Sequence, residues 1–230
     1  MSAPTSQQLA IIRSGSWFSS LPTGLQGELI AMSRVLRLTH GQCLFARGAL
    51  ADGLFSVIEG SIRITTVSED GREAILNFFE APHWFGEITL FDGNRRTHDA
   101  HSEGESCVLH LPLAPLQALL EREPRHWQEL GRLLTHKIRY LLTLFDDAAL
   151  QPAQVRLARR LLAIAEGYGE PKGDAGDSIR ISQEQLGQMV AVTRQTVNLI
   201  LRRFEAAGIL RIGRSDIRIL DLAALRRQLP

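Results

Sequence analysis

The chain has 230 residues, 44% hydrophobic and 22% charged, which is enough for two small domains each with its own core. No apolar run approaches the roughly 18 residues a membrane helix needs, and Met1 to Phe18 lacks the basic flank and apolar stretch of a secretory signal, so the expected location is cytoplasmic. The net charge of +1 conceals a split: residues 1–150 carry 13 Lys and Arg against 17 Asp and Glu, and residues 151–230 carry 13 against 8. A basic C-terminal part on an acidic body suits a nucleic-acid partner.

In chain order, a helix is predicted around Pro22–Met32. From Val35 to Leu111 the pattern becomes short β-type runs: Cys43–Phe45, Leu54–Ile58, Ser61–Val67, Ala74–Phe79 and Cys107–Leu111. Glycines at 41, 48, 53, 60, 71, 86 and 93 punctuate them as turns, which predicts a sandwich or barrel. Cys43 and Cys107 lie in such runs and read as buried thiols. An iron–sulfur cluster takes about four cysteines, so two cannot hold one by themselves. The seven histidines show neither His-x-x-x-His nor a cysteine partner, and read as surface or hydrogen-bonded groups with no metal site.

From about Arg125 the period is helical. Trp127, Leu130, Leu134, Lys137, Leu141, Leu144 and Ala148 follow a 3,4 spacing, which predicts the seam of a helix paired with a second copy. A second stripe, Ile138, Leu142, Phe145 and Ala149, is expected to face the chain's own β domain. Gln151-Pro152 breaks the pattern, and a new helix is predicted to put Ala158, Leu161, Leu162 and Ala165 on one face. Glu166 to Asp177 reads as a loop.

The most specific stretch is Ile181–Phe204. Ser182 followed by Gln185 is a capping box opening a short helix with Leu186, Met189 and Val190 inward. Ala191-Val192 reads as a turn, and Thr193 as the N-cap of a second helix that buries Val197, Ile200, Leu201 and Phe204. The other side of that helix presents Arg194, Gln195, Asn198 and Arg202. A major-groove helix uses these side chains, arginine for guanine or phosphate, glutamine and asparagine for adenine edges. After Gly208, Ile209–Ile212 and Ile217–Leu220 around Gly213–Asp216 predict a β-hairpin wing with Arg214 near a phosphate. Ser182 and Thr193, at the two helix starts, complete the candidate DNA-binding set.

Beside that tract, Gly41 to Gly60 and the run Trp84-Phe-Gly-Glu-Ile-Thr-Leu-Phe-Asp-Gly-Asn-Arg-Arg-Thr97 carry a resemblance over nearly the whole chain. The sequence resembles the family of the cyclic-AMP receptor protein and the fumarate–nitrate regulator. The 84–97 run is similar to that family's phosphate-binding cassette, and the resemblance implies that Gly86, Glu87, Arg96 and Thr97 hold a cyclic nucleotide. On chemistry alone, Arg96 offers a bidentate fork and Thr97 a hydroxyl to phosphate, while Glu87 can accept from a ribose hydroxyl or pair with Arg96 instead. Leu141-Leu142 stands where the receptor has a Thr-Ser pair that meets adenine, so the effector, cyclic AMP or another small molecule, stays open.

The expected fold is α+β: an N-terminal β-roll of the cyclic-nucleotide-binding type over 1–122, a long dimerisation helix over 123–150, and a C-terminal winged helix-turn-helix over 151–230. The expected function is a homodimeric, effector-responsive transcription regulator bound to double-stranded DNA, with RNA polymerase as a candidate partner and no membrane. Two alternatives stay beside it: the same fold with a vestigial or non-nucleotide pocket, and a nucleotide-sensing adaptor that does not bind DNA. An enzyme is not expected, because roll, helix and DNA reader account for the chain and no catalytic triad or phosphate loop appears.

Overall fold

The computed structural model describes residues 2–71, 73–166, 178–179, 181–213 and 216–230. It divides into two compact units, Met1–Ile138 and Arg139–Pro230, with the division inside the long helix. Among the described residues no helix is long and apolar enough to cross a membrane.

The first unit opens with α1 (Ser6–Ser14), α2 (Ser16–Ser20) and α3 (Thr23–Met32). Thr5 and Gln8 form a capping box at the start of α1. The strands are β1 (Arg34–Leu38), β2 (Cys43–Phe45), β3 (Gly53–Val67), β4 (Glu73–Glu80) and β5 (Trp84–Phe85), followed by the short α4 (Ile88–Asp92) and β6 (Asp99–Pro112). One antiparallel sheet runs β1-β6-β3-β4, with β2 on β6 and β5 on β3.

The two predicted runs at Leu54–Ile58 and Ser61–Val67 are one strand, β3, kinked where its register against β6 shifts between Val57 and Ser61. Gly60 makes the kink possible. Its φ is 77°, and a Cβ there would sit 2.4 Å from Ser106 Oγ and 2.5 Å from the Glu105 carbonyl oxygen.

Two cores form on the sheet. One, inside the roll, joins Leu38, Phe55, Val57, Ile62, Ile64, Phe85 and Val108. The other lies between sheet and helices and joins Ile12, Phe18, Leu29, Trp84, Leu109 and Leu130. Phe18 stacks on Trp84 at 5.4 Å, and the Trp17 indole N–H donates to the Glu129 carbonyl oxygen at 2.8 Å. Burying a side chain of this size stabilises by about 1.5–3 kcal/mol. Cys107 is buried as expected, but Cys43 is exposed: it lies on the short strand β2, where it points outward.

After α5 (Leu113–Arg122) and a 3-10 turn, α6 runs from Trp127 to Leu150. Its faces differ from the expectation. Leu130 and Leu133 are buried in the first unit and Lys137 pairs with Glu87 there, so the predicted seam spends its N-terminal half on the chain's own roll. The stripe assigned to the roll is the one left outside: Ile138, Leu142 and Phe145 are exposed, together with Leu141. At roughly 100° of turn per residue, these side chains spread over an arc from about 40° to about 140° around the helix from Lys137.

The second unit contains α7 (Ala153–Ala165), β7 (Ser178–Ile179), α8 (Gln183–Val190), α9 (Arg194–Ala206), β8 (Leu210–Ile212), β9 (Ile217–Ile219) and α10 (Leu222–Arg226). The predicted hairpin is β8–β9, antiparallel, with β7 added on the free side of β9. Most of the predicted 166–177 loop, and Arg214, the residue expected near a phosphate, lie outside the described residues.

Candidate nucleic-acid interface and effector pocket

The α8–α9 pair is built from its caps inward. Ser182 Oγ accepts from the Gln185 amide, while the Gln185 side chain accepts from the Ser182 amide at 2.8 Å. Leu186, Met189 and Val190 are buried. The helix stops at Ala191, which takes the left-handed conformation at φ 52°. Gly187 lets the turn close on α8, since a Cβ there would meet the Val192 carbonyl oxygen at 2.7 Å. Thr193 Oγ1 accepts from the Thr196 amide and starts α9. Val197, Ile200, Leu201 and Phe204 are buried beneath it, as their i, i+3, i+4, i+7 spacing predicts.

The opposite side of α9 borders an open groove lined by Gln183, Arg194, Gln195, Asn198, Leu199 and Arg202. Arg194, Gln195 and Leu199 are exposed. The Asn198 amide donates to Gln183 Oε1 at 2.9 Å. Arg202 pairs with Glu205 at 2.7 Å, and Glu205 also accepts from the Ile212 amide. That amide first, then Arg202, holds the Glu205 carboxyl below its usual range and ties α9 to the wing. Four of the predicted DNA-binding residues thus share one groove, while the hydroxyls of Ser182 and Thr193 are engaged in capping. Gln183 was not foreseen: fifteen positions separate it from Asn198, and only helix packing brings them together.

In the first unit, β5 ends at Gly86, whose φ is 97°, and α4 follows. A Cβ on Gly86 would come within 2.8 Å of Arg96 Nη1, so the glycine makes room for the guanidinium. Arg96 does not pair with Glu87, contrary to one expectation. Its Nη2 donates to Asp52 at 2.6 Å and to the Gly53 carbonyl oxygen at 2.7 Å, and its Nη1 donates to the Gly86 carbonyl oxygen. The guanidinium also lies over the Phe45 ring, 4.3 Å from its centroid. Glu87, buried, takes Lys137 of α6 instead, at 2.6 Å. Each charge has its own counter-ion: Asp52 stands 2.6 Å from the Arg96 guanidinium, and the Lys137 ammonium stands 2.6 Å from Glu87. Thr97 is exposed, with its hydroxyl 2.9 Å from His98 Nδ1.

The donor set fits a small anion. Arg96 Nε is buried with no hydrogen-bond partner among the described residues, and Asp52, which neutralises the same guanidinium, is half exposed.

Residues 35–123 match the family described as cyclic nucleotide-binding domain, and residues 155–228 match the Crp-like helix-turn-helix domain, together more than two thirds of the chain. The chain belongs to the CRP/FNR family of transcription regulators. Members of the CRP/FNR family regulate transcription and are not enzymes. A CRP-like cAMP-activated global transcriptional regulator of Mycobacterium tuberculosis is 29% identical over 193 residues, covering 82% of this chain and 85% of the relative. The cAMP-activated global transcriptional regulator Vfr of Pseudomonas aeruginosa is 25% identical, covering 80% of this chain and 88% of Vfr. Among solved structures, FixK2 from Bradyrhizobium japonicum superposes with a TM-score of 0.75 at 17% identity, covering 86% of this chain and 98% of FixK2. At that identity the likeness speaks for the CRP/FNR fold alone.

Proposed function

We propose that this CRP/FNR-family regulator acts in the cytoplasm as a homodimer. Its two α9 helices enter the major groove at the half-sites of a roughly palindromic site, about one DNA turn apart. The observation that carries this reading is the division of α9: Val197, Ile200, Leu201 and Phe204 are buried, and Arg194, Gln195, Asn198 and Arg202 line the groove. Arg194, Gln195 and Asn198 are assigned to base edges, with Leu199 against a thymine methyl. Arg202 and Arg214 are assigned to phosphates, and Ser182 and Thr193 to the helix starts whose amides face the backbone. RNA polymerase is the further partner of a regulator so placed.

Control is assigned to a small anionic effector in the β-roll, with cyclic AMP the first candidate because the relatives named above are cAMP-activated. Arg96 and Thr97 would hold the phosphate once Asp52 has swung to solvent, and Glu87 would face a ribose hydroxyl. An effector shifts the DNA-binding equilibrium only through its differential affinity for two arrangements of the dimer. The internal pairs Arg96–Asp52 and Glu87–Lys137 favour a second reading, in which the pocket satisfies itself and the protein binds DNA without a nucleotide.

Selection of bound duplexes from a random pool, with and without cyclic AMP, tests both. A palindromic consensus enriched only with cyclic AMP supports the first reading, and the same consensus in both arms supports the second. Absence of any consensus at low salt refutes DNA recognition. On the selected site, Gln195→Ala is expected to relax preference at one base pair by about 1–3 kcal/mol and leave the others unchanged.

A further inference from the structure

We infer that Arg160 and Tyr140 are positioning residues for DNA reading: a buried strut that ties α8–α9 to the C-terminal half of α6 and thereby sets the half-site spacing this regulator accepts. Arg160 lies on α7 and is 5% exposed. Its guanidinium donates in two directions, Nη1 to Tyr140 Oη on α6 at 3.0 Å and Nη2 to the Met189 carbonyl oxygen on α8 at 3.4 Å. One residue earlier, Arg159 Nε stands 2.5 Å from Asp147 Oδ2, and Asp147 is itself buried on α6. Tyr140 and Asp147 are seven residues apart and share one face of that helix.

A cation buried in this way costs free energy unless it is well partnered, and packing alone would be served by a residue like the neighbouring Leu161 or Leu162. What a guanidinium adds is a rigid planar fork whose two arms fix two different helices to a third. The Met189 carbonyl is one of the last four of α8, beyond the reach of intrahelical amides, and a positive charge there is favourable.

On the opposite side of the same stretch of α6 stand the exposed Ile138, Leu141 and Phe145. If a second copy packs there, as the proposed dimer requires, a continuous line of fixed contacts runs from the partner through α6 and Arg160 to α8 and α9. The inference rests on that dimeric reading.

The test is anisotropy with the selected duplex, with duplexes whose half-sites are displaced by one or two base pairs, and with a single half-site. The wild type is expected to lose at least about tenfold in affinity on displacement, since the half-sites must match the dimer. Tyr140→Phe keeps the ring and removes one hydroxyl, and Arg160→Met removes the fork. Each should flatten the spacing dependence to within about threefold, a loss on the scale of one hydrogen bond, while half-site affinity stays within about twofold. Arg160→Lys, which can reach one acceptor, should fall between. If Arg160→Met does not fold, Tyr140→Phe carries the result. A wild-type spacing profile in Tyr140→Phe overturns the inference, and so does an equal loss on half-site and full site. A wild type that binds no duplex overturns the dimeric DNA reading itself, which is a different outcome.

Discussion

Ala191 ends α8 at φ 52°, a conformation in which its Cβ crowds the following carbonyl. A glycine there would lose the strain but gain freedom in the unfolded chain, so Ala191→Gly is expected to stabilise the second unit by a net of about 0.5–1 kcal/mol. Thermal melting checks this, and a lower melting temperature would show that the alanine side chain contributes packing that outweighs its strain. His83 offers a pH-dependent counterpart. Burial first, then the charges of Lys137 and His136, hold its imidazole well below the ordinary value of 6.5. Between that depressed value and the unfolded one, the unfolded chain binds a proton that the folded chain refuses, so stability rises with pH. The contribution is therefore complete above the unfolded value and declines as pH falls below it. Melting of the first unit should shift downward between pH 7 and pH 5, and His83→Leu should flatten that shift. An unchanged slope in the variant would assign the response to other groups.

At the scale of elements, the second unit was the more legible because its signals are local. Capping at Ser182 and Thr193, the inward period from Val197 to Phe204 and the alternation around the wing each occupy a few consecutive residues. The roll was harder to read. The first half of β6, Asp99–Glu105, buries Ala100 and Ser102, so its inner face carries no large apolar residue and no alternation marks it as a strand. Gly60 reads as a turn, yet it bends a continuous strand, because a positive φ is common to both. Gly60→Ala should destabilise the first unit by about 1–3 kcal/mol, the scale of overpacking and left-handed strain combined, read from denaturant midpoints. A midpoint matching the wild type would mean that β6 yields at Ser106 without cost. The pocket was legible as residue types and not as pairings: nothing in the spacing says that Arg96 meets Asp52, 44 positions away, or that Glu87 meets Lys137, 50 away. Such pairs are made by topology.

For the whole molecule, the telling feature is the stripe on α6. Ile138, Leu141, Leu142 and Phe145 are 45%, 44%, 59% and 72% exposed, a contiguous apolar surface on a chain otherwise ordinary in composition. The 138, 141, 145 spacing alternates three and four, which is what a paired helix presents to its copy. Leu141→Glu with Phe145→Glu places two carboxylates on that stripe, and both residues are exposed in the single chain. The double variant is therefore expected to melt near the wild type once both are monomeric, and to sediment as a monomer under conditions in which the wild type is expected to sediment as a dimer. DNA affinity separates this from a surface effect. Linking two half-site contacts raises affinity by roughly 10²–10⁴, so the double variant should lose about that factor on the palindromic site and almost nothing on a single half-site. A double variant that still sediments as a dimer would move the interface off α6, and the coupling through Arg160 would have to be sought on another face.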